Sequence, residues 1–273
     1  MLNDNEKRNM TMLTYIISTV VIFCACTIGA IVGFGGGVII KPVLDSMNFC
    51  TIDIVNFVSS CAVLAMSISS IVRHKIQKTK FDKKIALSLS LGAVVGGYLG
   101  NRLFGLAIEG IGKDKLVVIQ AAMIIAFVGF AEIYVNMKNP KTFHLTNPVA
   151  MAVSGVALGM LNSFLGIGGG PINMTVLLLL FSLAVKQGTV YSICVVFFCQ
   201  LSNLVTLFIN NRFEPYADYL PLIICGMIAA VVGGLVGSTF NKKFSDKAVR
   251  IVFSLVMLAV FGINVYNIIV GVM

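Results

Sequence analysis

Two glycine clusters, Gly33-Phe34-Gly35-Gly36-Gly37 and, 133 positions later, Gly166-Ile167-Gly168-Gly169-Gly170, each interrupt a run that is otherwise apolar. Runs of about 20 apolar residues are what a helix needs to cross the roughly 30 Å hydrocarbon core of a bilayer. Lipid offers the backbone no hydrogen bonds, so a break at that depth is tolerated only where protein or a watery cavity satisfies it. The clusters therefore predict two broken helices that face inward, toward each other.

The rest of the chain agrees with a membrane setting, since 58% of its residues are hydrophobic and only 11% are charged. Apolar runs near 12–33, 54–72, 85–108, 116–136, 148–165, 188–209, 219–240 and 248–272 predict eight long spans and an all-α membrane protein. The first run follows a polar tail, Asn3 to Asn9, and lacks a small-residue cleavage site, which reads as a retained anchor. A net charge of +9 lies mostly in the short connections, where it governs topology. With no soluble basic domain to hold phosphates, nucleic acid is not an expected partner. Seven cysteines, an odd number without C-x-x-C spacing, read as small packing residues rather than a zinc or disulfide framework. The apolar segments contain no Ser-His-Asp, H-E-x-x-H or paired-carboxylate arrangement, so neither an enzyme nor a cofactor is expected. His74 and His144 fall in basic connections and are expected to be solvated.

The two clusters belong to a longer repetition. Cys61 and Cys194 share the offset of 133, as do Ser59 and Ser192. Further on the match slips, with Gly96-Gly97-Tyr98-Leu99-Gly100 answering to Gly233-Gly234-Leu235-Val236-Gly237 and Asp114-Lys115 to Asp246-Lys247. This predicts two homologous four-span halves, 1–136 and 148–273, joined by a linker at 137–147. Each half also holds a short piece after its cluster, Val38 to Met47 and Pro171 to Ala184, about 15 to 21 Å long if helical and too short to cross alone. Gly96 with Gly100, and Gly233 with Gly237, are spaced for close helix packing. Strictly alternating spans divide the 20 Lys and Arg residues 11 to 9, which orients nothing. If the short pieces change sides the division becomes 13 to 7, with both dense stretches, 73–84 and 242–250, on one face. Inverted repeats with that face cytoplasmic are favoured, at the cost of leaving Lys7 and Arg8 outside.

A helix that begins in mid-membrane presents unpaired N–H groups and about half a positive charge, an arrangement suited to an anion. Glycine lets a ligand approach that backbone closely. The candidate site is therefore Gly33, Gly35, Gly36 and Gly37 with Gly166, Gly168, Gly169 and Gly170. Pro171 suits the first turn of the second short helix, whereas Pro42 lies inside the first and is expected to distort it. Asn162 and Asn173 flank the second break, and Lys41 is the cation beside the first, where an unpaired charge is costly enough to imply a role. Ser59, Ser60, Ser163, Thr189 and Ser192 are secondary polar candidates. Glu132, a carboxylate well inside an apolar segment, is the candidate for carrying a coupling proton. Cys61 and Cys194, each one span after a break, are candidates for thiol exchange with sulfur species. Neither cluster reaches the final glycine of G-x-G-x-x-G, so a nucleotide site is not indicated.

Paired G-x-G-G-G clusters, each leading into a short apolar helix within a four-span half, give the chain a resemblance to the TauE/SafE family of sulfite exporters, from about Tyr15 to Ile269. The resemblance implies a multi-pass secondary carrier of the bacterial inner membrane, moving sulfite, an organosulfonate or a related sulfur-containing anion by alternating access. The implied partners are that small anion, the lipid bilayer and a coupling proton or ion. A passive anion channel built on the same helix ends, and a carrier of a non-sulfur organic anion, are the alternatives. In one respect the halves differ: Lys41-Pro42 stands where the second has Met174-Thr175, so the half-sites should not be equivalent.

Overall fold

The computed structural model describes residues 4–272 apart from 48, 80, 139, 167–168 and 210–213. It is all helical among those residues: α1 (Asp4–Val32), α2 (Gly37–Ser46), α3 (Ile52–Ile76), α4 (Lys83–Ile111), α5 (Lys113–Asn136), α6 (Pro148–Leu165), α7 (Pro171–Phe181), α8 (Val185–Ile209), a 3-10 turn (Glu214–Tyr219), α9 (Leu220–Lys243) and α10 (Asp246–Val272). Eight of these helices are long and apolar enough to cross a bilayer. The other two, α2 with 10 residues and α7 with 11, reach only about 15 to 17 Å. α2 runs continuously through Pro42.

Local chemistry sets several of the boundaries. Asp82 and Asn147 cap α4 and α6 by accepting from the N–H groups of Lys84 (2.8 Å) and Val149 (2.9 Å). α6 starts on Pro148 and stops at Gly166 in the left-handed region. Residues 137–147 carry no helix among those described, and Phe143 and Leu145 donate to the carbonyls of Leu179 and Leu180 at the end of α7.

Backbone contact between glycines and carbonyls joins the long helices. A Cβ on Gly92, Gly96 or Gly100 of α4 would collide with the carbonyl oxygens of Ala152, Val156 or Met160, and one on Gly155 or Gly159 of α6 with those of Leu89 or Ala93. Gly233 and Gly237 of α9 meet the Phe23 and Thr27 carbonyls of α1 in the same way. Lipid tails are as apolar as leucine, so these helices gain by close van der Waals approach rather than by escaping solvent. The expected packing role of Gly96, Gly100, Gly233 and Gly237 is what the structure contains.

The basic stretches gather at one end of the bundle. Lys242 Nζ donates to the Gln77 carbonyl (3.1 Å), Arg73 Nε to Thr239 Oγ1 (3.0 Å), and Lys186 Nζ to the carbonyls of Lys242 (2.8 Å) and Phe244 (2.7 Å). Asn136, the last residue of α5, reaches Ser254 of α10 at 3.1 Å. His74 corrects an expectation: it lies in the last turn of α3, is only 2% exposed, and has Nδ1 3.4 Å from Thr79 Oγ1. The surrounding basic residues masked the fact that α3 was still running, one face buried, when it reached position 74.

Two apolar clusters make up the interior, one around Phe34, Leu158, Leu177 and Phe253, the other around Ile22, Ile40, Met66 and Val196. Both helix breaks lie where the clusters adjoin. Phe34 packs its ring on Phe253 with centroids 4.9 Å apart, and Val196 faces Gly169.

Candidate functional site

The first break turns the chain between α1 and α2 through Gly33, Gly35 and Gly36, with φ of 90°, 80° and 75°. Side chains carrying a Cβ resist those torsions, which is why the cluster is glycine. All the residues from Gly33 to Val38 are buried. Three carbonyls at the end of α1 are met by donors from the second half of the chain. Asn241 Nδ2 of α9 donates to Ile31 O (2.6 Å), Thr189 Oγ1 of α8 to Val32 O (3.3 Å), and Ser192 Oγ of α8 to Gly33 O.

The second break passes through Gly166, Gly169 and Gly170, with φ of 65°, 121° and 128°. Gly168 lies outside the described residues. Here too the carbonyl end is satisfied, this time by the first half. Lys41 Nζ of α2 donates to Leu165 O (3.0 Å) and to Gln120 Oε1 (3.2 Å), while Gln120 Nε2 of α5 donates to Phe164 O. Asn162 and Asn173 bridge the break, Nδ2 of the first donating to Oδ1 of the second at 3.0 Å, and both are 0% exposed.

The opposite ends of the two gaps are treated differently. α2 begins at Gly36 and α7 at Gly170, and neither start has a side-chain cap. In each, the first N–H that bonds back along the chain belongs to Ile39 and Met174 respectively. Among the described residues, side-chain donors meet carbonyls at the helix ends, while no side-chain acceptor meets the starts of α2 and α7. A buried N–H with no acceptor costs about 1–3 kcal/mol, so a negative or polar group reaching either start would be held there.

The two breaks touch. A Cβ on Gly169 would lie 3.2 Å from Phe34 O and 3.2 Å from Asn173 Nδ2, and one on Gly33 would lie 3.3 Å from Met174 Cε of α7. A Cβ on Gly166 would sit 2.9 Å from both Lys41 Nζ and Asn56 Oδ1. Thr189, 133 positions after Asn56, occupies the corresponding place beside Gly33, its Cα 2.8 Å from that glycine's would-be Cβ. The structure therefore brings together Gly33, Gly35, Gly36, Gly37, Lys41, Asn162, Gly166, Gly169, Gly170, Pro171 and Asn173. Lys41 is 5% exposed and so does not snorkel to the interface. Two of its three donors are used and one remains; burial disfavours the charged ammonium, and the nearby Asp45 carboxylate acts in the opposite direction.

Four contributors were not singled out from sequence: Asn56, Gln120, Asn241 and Gly29, whose absent side chain admits the Gly36 N–H region. The signal for Asn56 and Gln120 was their presence inside apolar runs, where a polar side chain faces protein rather than lipid, whereas Asn241 follows the run 219–240 and gave no such signal. Ser163 donates to Asn203 Oδ1 (2.6 Å), and Asn203 Nδ2 to Gln200 Oε1 (3.1 Å), extending the polar interior along α8. The thiol in contact with this network is Cys199, 3.2 Å from Ser163 Oγ, rather than Cys61 or Cys194.

Glu132 stands apart. It follows Gln120 by twelve residues on α5, about 18 Å along the axis. Its Oε1 accepts from Asn136 Nδ2 at 2.6 Å, and it lines a groove with Asp246, Lys247, Arg250 and Ser254 of α10.

The model of the family described as sulfite exporter TauE/SafE matches residues 18–264 of the chain. Among curated proteins, a probable membrane transporter protein, YunE of Bacillus subtilis (strain 168), is 23% identical over 269 residues, covering 91% of this chain and 96% of the relative. No solved structure matches.

Proposed function

The chain belongs to the sulfite exporter TauE/SafE family of multi-pass membrane transporters, and on that premise we propose that it is a secondary carrier for a small anion, a sulfur oxyanion or organosulfonate, held between the two helix breaks and released by alternating access in the plasma membrane. The observation that carries this reading is the asymmetry of the breaks. Carbonyl ends are capped by Asn241, Thr189, Ser192, Lys41 and Gln120, while the N-termini of α2 and α7 are left open. A cation site would need the reverse, because carbonyl oxygens are what replace a metal ion's hydration shell.

In this proposal the halves are inverted and the basic end is cytoplasmic. Five spanning helices, α4, α5, α6, α8 and α9, separate the end of α3 from the end of α9. Five crossings would put those ends on opposite faces, yet Arg73 and Gln77 bond to Thr239 and Lys242. Counting α7 as a crossing piece restores an even number. That is the arrangement in which short half-helices converge on a midplane site.

The test is flux into proteoliposomes holding the purified protein, with sulfite, thiosulfate, sulfoacetate, sulfate and lactate as cargo. Saturable uptake with counterflow of a sulfur anion is expected. Conductance far above carrier turnover would make it a channel, preference for lactate would move the substrate class, and no flux of any anion would end the proposal.

A further inference from the structure

Asn162 and Asn173 share one hydrogen bond, but Asn162 Oδ1 and Asn173 Nδ2 are buried without any partner. The count does not depend on which way each amide is turned. One N–H···O bond between two carboxamides uses a donor of one and an acceptor of the other, and always leaves one oxygen and one nitrogen over. The leftover nitrogen and the Phe34 carbonyl oxygen each lie 3.2 Å from where a Gly169 Cβ would be, with a methyl of Val196 packed against the same point. The dimensions of two amides and the bond between them keep the leftover oxygen within roughly 7 Å of it.

Resting on the anion-carrier reading above, we propose that the cargo is a monoanion that brings a hydrogen-bond donor of its own, a hydroxylated or protonated oxyanion, whose charged oxygens meet the helix N-termini, Lys41 and Asn173 while its O–H meets the amide oxygen of Asn162. Apart from Asn56 Oδ1, which is also buried without a partner beside Gly166, the other unused groups at the breaks are donors, and donors alone would suit any anion. An acceptor-only anion placed there leaves the Asn162 oxygen buried against other oxygens. A site built around a substrate hydroxyl discriminates strongly against the analogue that lacks it, because its own polar group is then left unpaired.

Isosteric pairs isolate that single group: isethionate against propane-1-sulfonate, and glycolate against propionate, with sulfite at alkaline pH as an unprotonated reference. Binding to the purified full-length protein is read from the shift in unfolding midpoint with anion concentration. The hydroxylated member is expected to bind at least about tenfold more tightly in one or both pairs. In Asn162→Leu, and in the milder Asn162→Ser should the first not fold, that ratio is expected to shrink toward unity. Equal affinity within both pairs on the wild-type protein, or binding of unprotonated sulfite with no binding of either hydroxylated anion, overturns the inference and leaves the anion-carrier reading standing. If none of the five anions binds, both fall together.

Discussion

The ammonium of Lys41 lies 3.0 Å from the carbonyl oxygen of Leu165, across 124 positions of sequence. That contact ties the short helix of one half to the broken end of the other. A cation there offsets the partial negative charge at the end of α6 and places a full positive charge beside the open N-termini. Carbonyl capping and anion attraction are therefore duties of one side chain, and they can be separated by substitution.

Lys41→Gln keeps a donor for Leu165 and removes the charge. Charge-assisted hydrogen bonds are worth about 1.5–3 kcal/mol, so apparent anion affinity should fall roughly 10- to 100-fold while the melting temperature changes little. Lys41→Met removes both and should lower the melting temperature as well. Flux kinetics and thermal unfolding on the two variants check this; unchanged affinity in Lys41→Gln would show that the lysine is only a cap.

Gly169→Ala meets two obstacles, a φ of 121° and the methyl of Val196, whereas Gly129→Ala on α5 meets nothing within 4 Å. The first should cost about 1–3 kcal/mol in strain and lose most transport. The second should be neutral or stabilising by up to about 1 kcal/mol, because alanine suits a helix interior better than glycine. Thermal melts with flux assays on the same preparations compare them directly.

Much of this architecture was legible because hydrocarbon imposes few solutions. Runs of about 20 apolar residues announce spans, and the glycines of 33–37 and 166–170 announce breaks that lipid would forbid at an exposed surface. The offset of 133 marked Ser192, which bonds Gly33 O, but not Asn56 or Asn241, because a lone amide within or at the end of an apolar run has no periodicity to say which carbonyl it will meet. Packing glycines were half legible. Gly96 and Gly100 announce themselves by spacing, yet their opposite numbers Gly155 and Gly159 gain meaning only once α4 is known to lie on α6. His74 was misplaced for a related reason, since basic neighbours describe where a helix reaches headgroups and not which way each residue of its last turn faces.

Asn241 is the donor for Ile31 O at the end of α1. Replacing it with leucine leaves a buried carbonyl unpaired, which should cost about 1–3 kcal/mol. Asn241→Gln, with the same chemistry on a longer arm, should recover part of that loss. Unfolding midpoints of the three proteins measure it, and a leucine variant as stable as wild type would mean the α1 carbonyl finds another partner.

Glu132, the candidate proton carrier, can be tested apart from the breaks. It lies about 18 Å along α5 from Gln120, and one of its oxygens, Oε2, is buried without a partner while the other holds Asn136. Across that distance a neutral replacement makes no contact with an anion at the breaks, so Glu132→Gln should leave the KM for anion exchange unchanged. If the carboxylate is the proton carrier, the same variant should lose accumulation driven by a pH gradient, because glutamine preserves the bond to Asn136 and cannot take up a proton. Exchange and gradient-driven uptake measured side by side decide it. A variant that still accumulates anion under a pH gradient would assign coupling to another group, and one with a raised KM would mean that the groove between α5 and α10 communicates with the breaks.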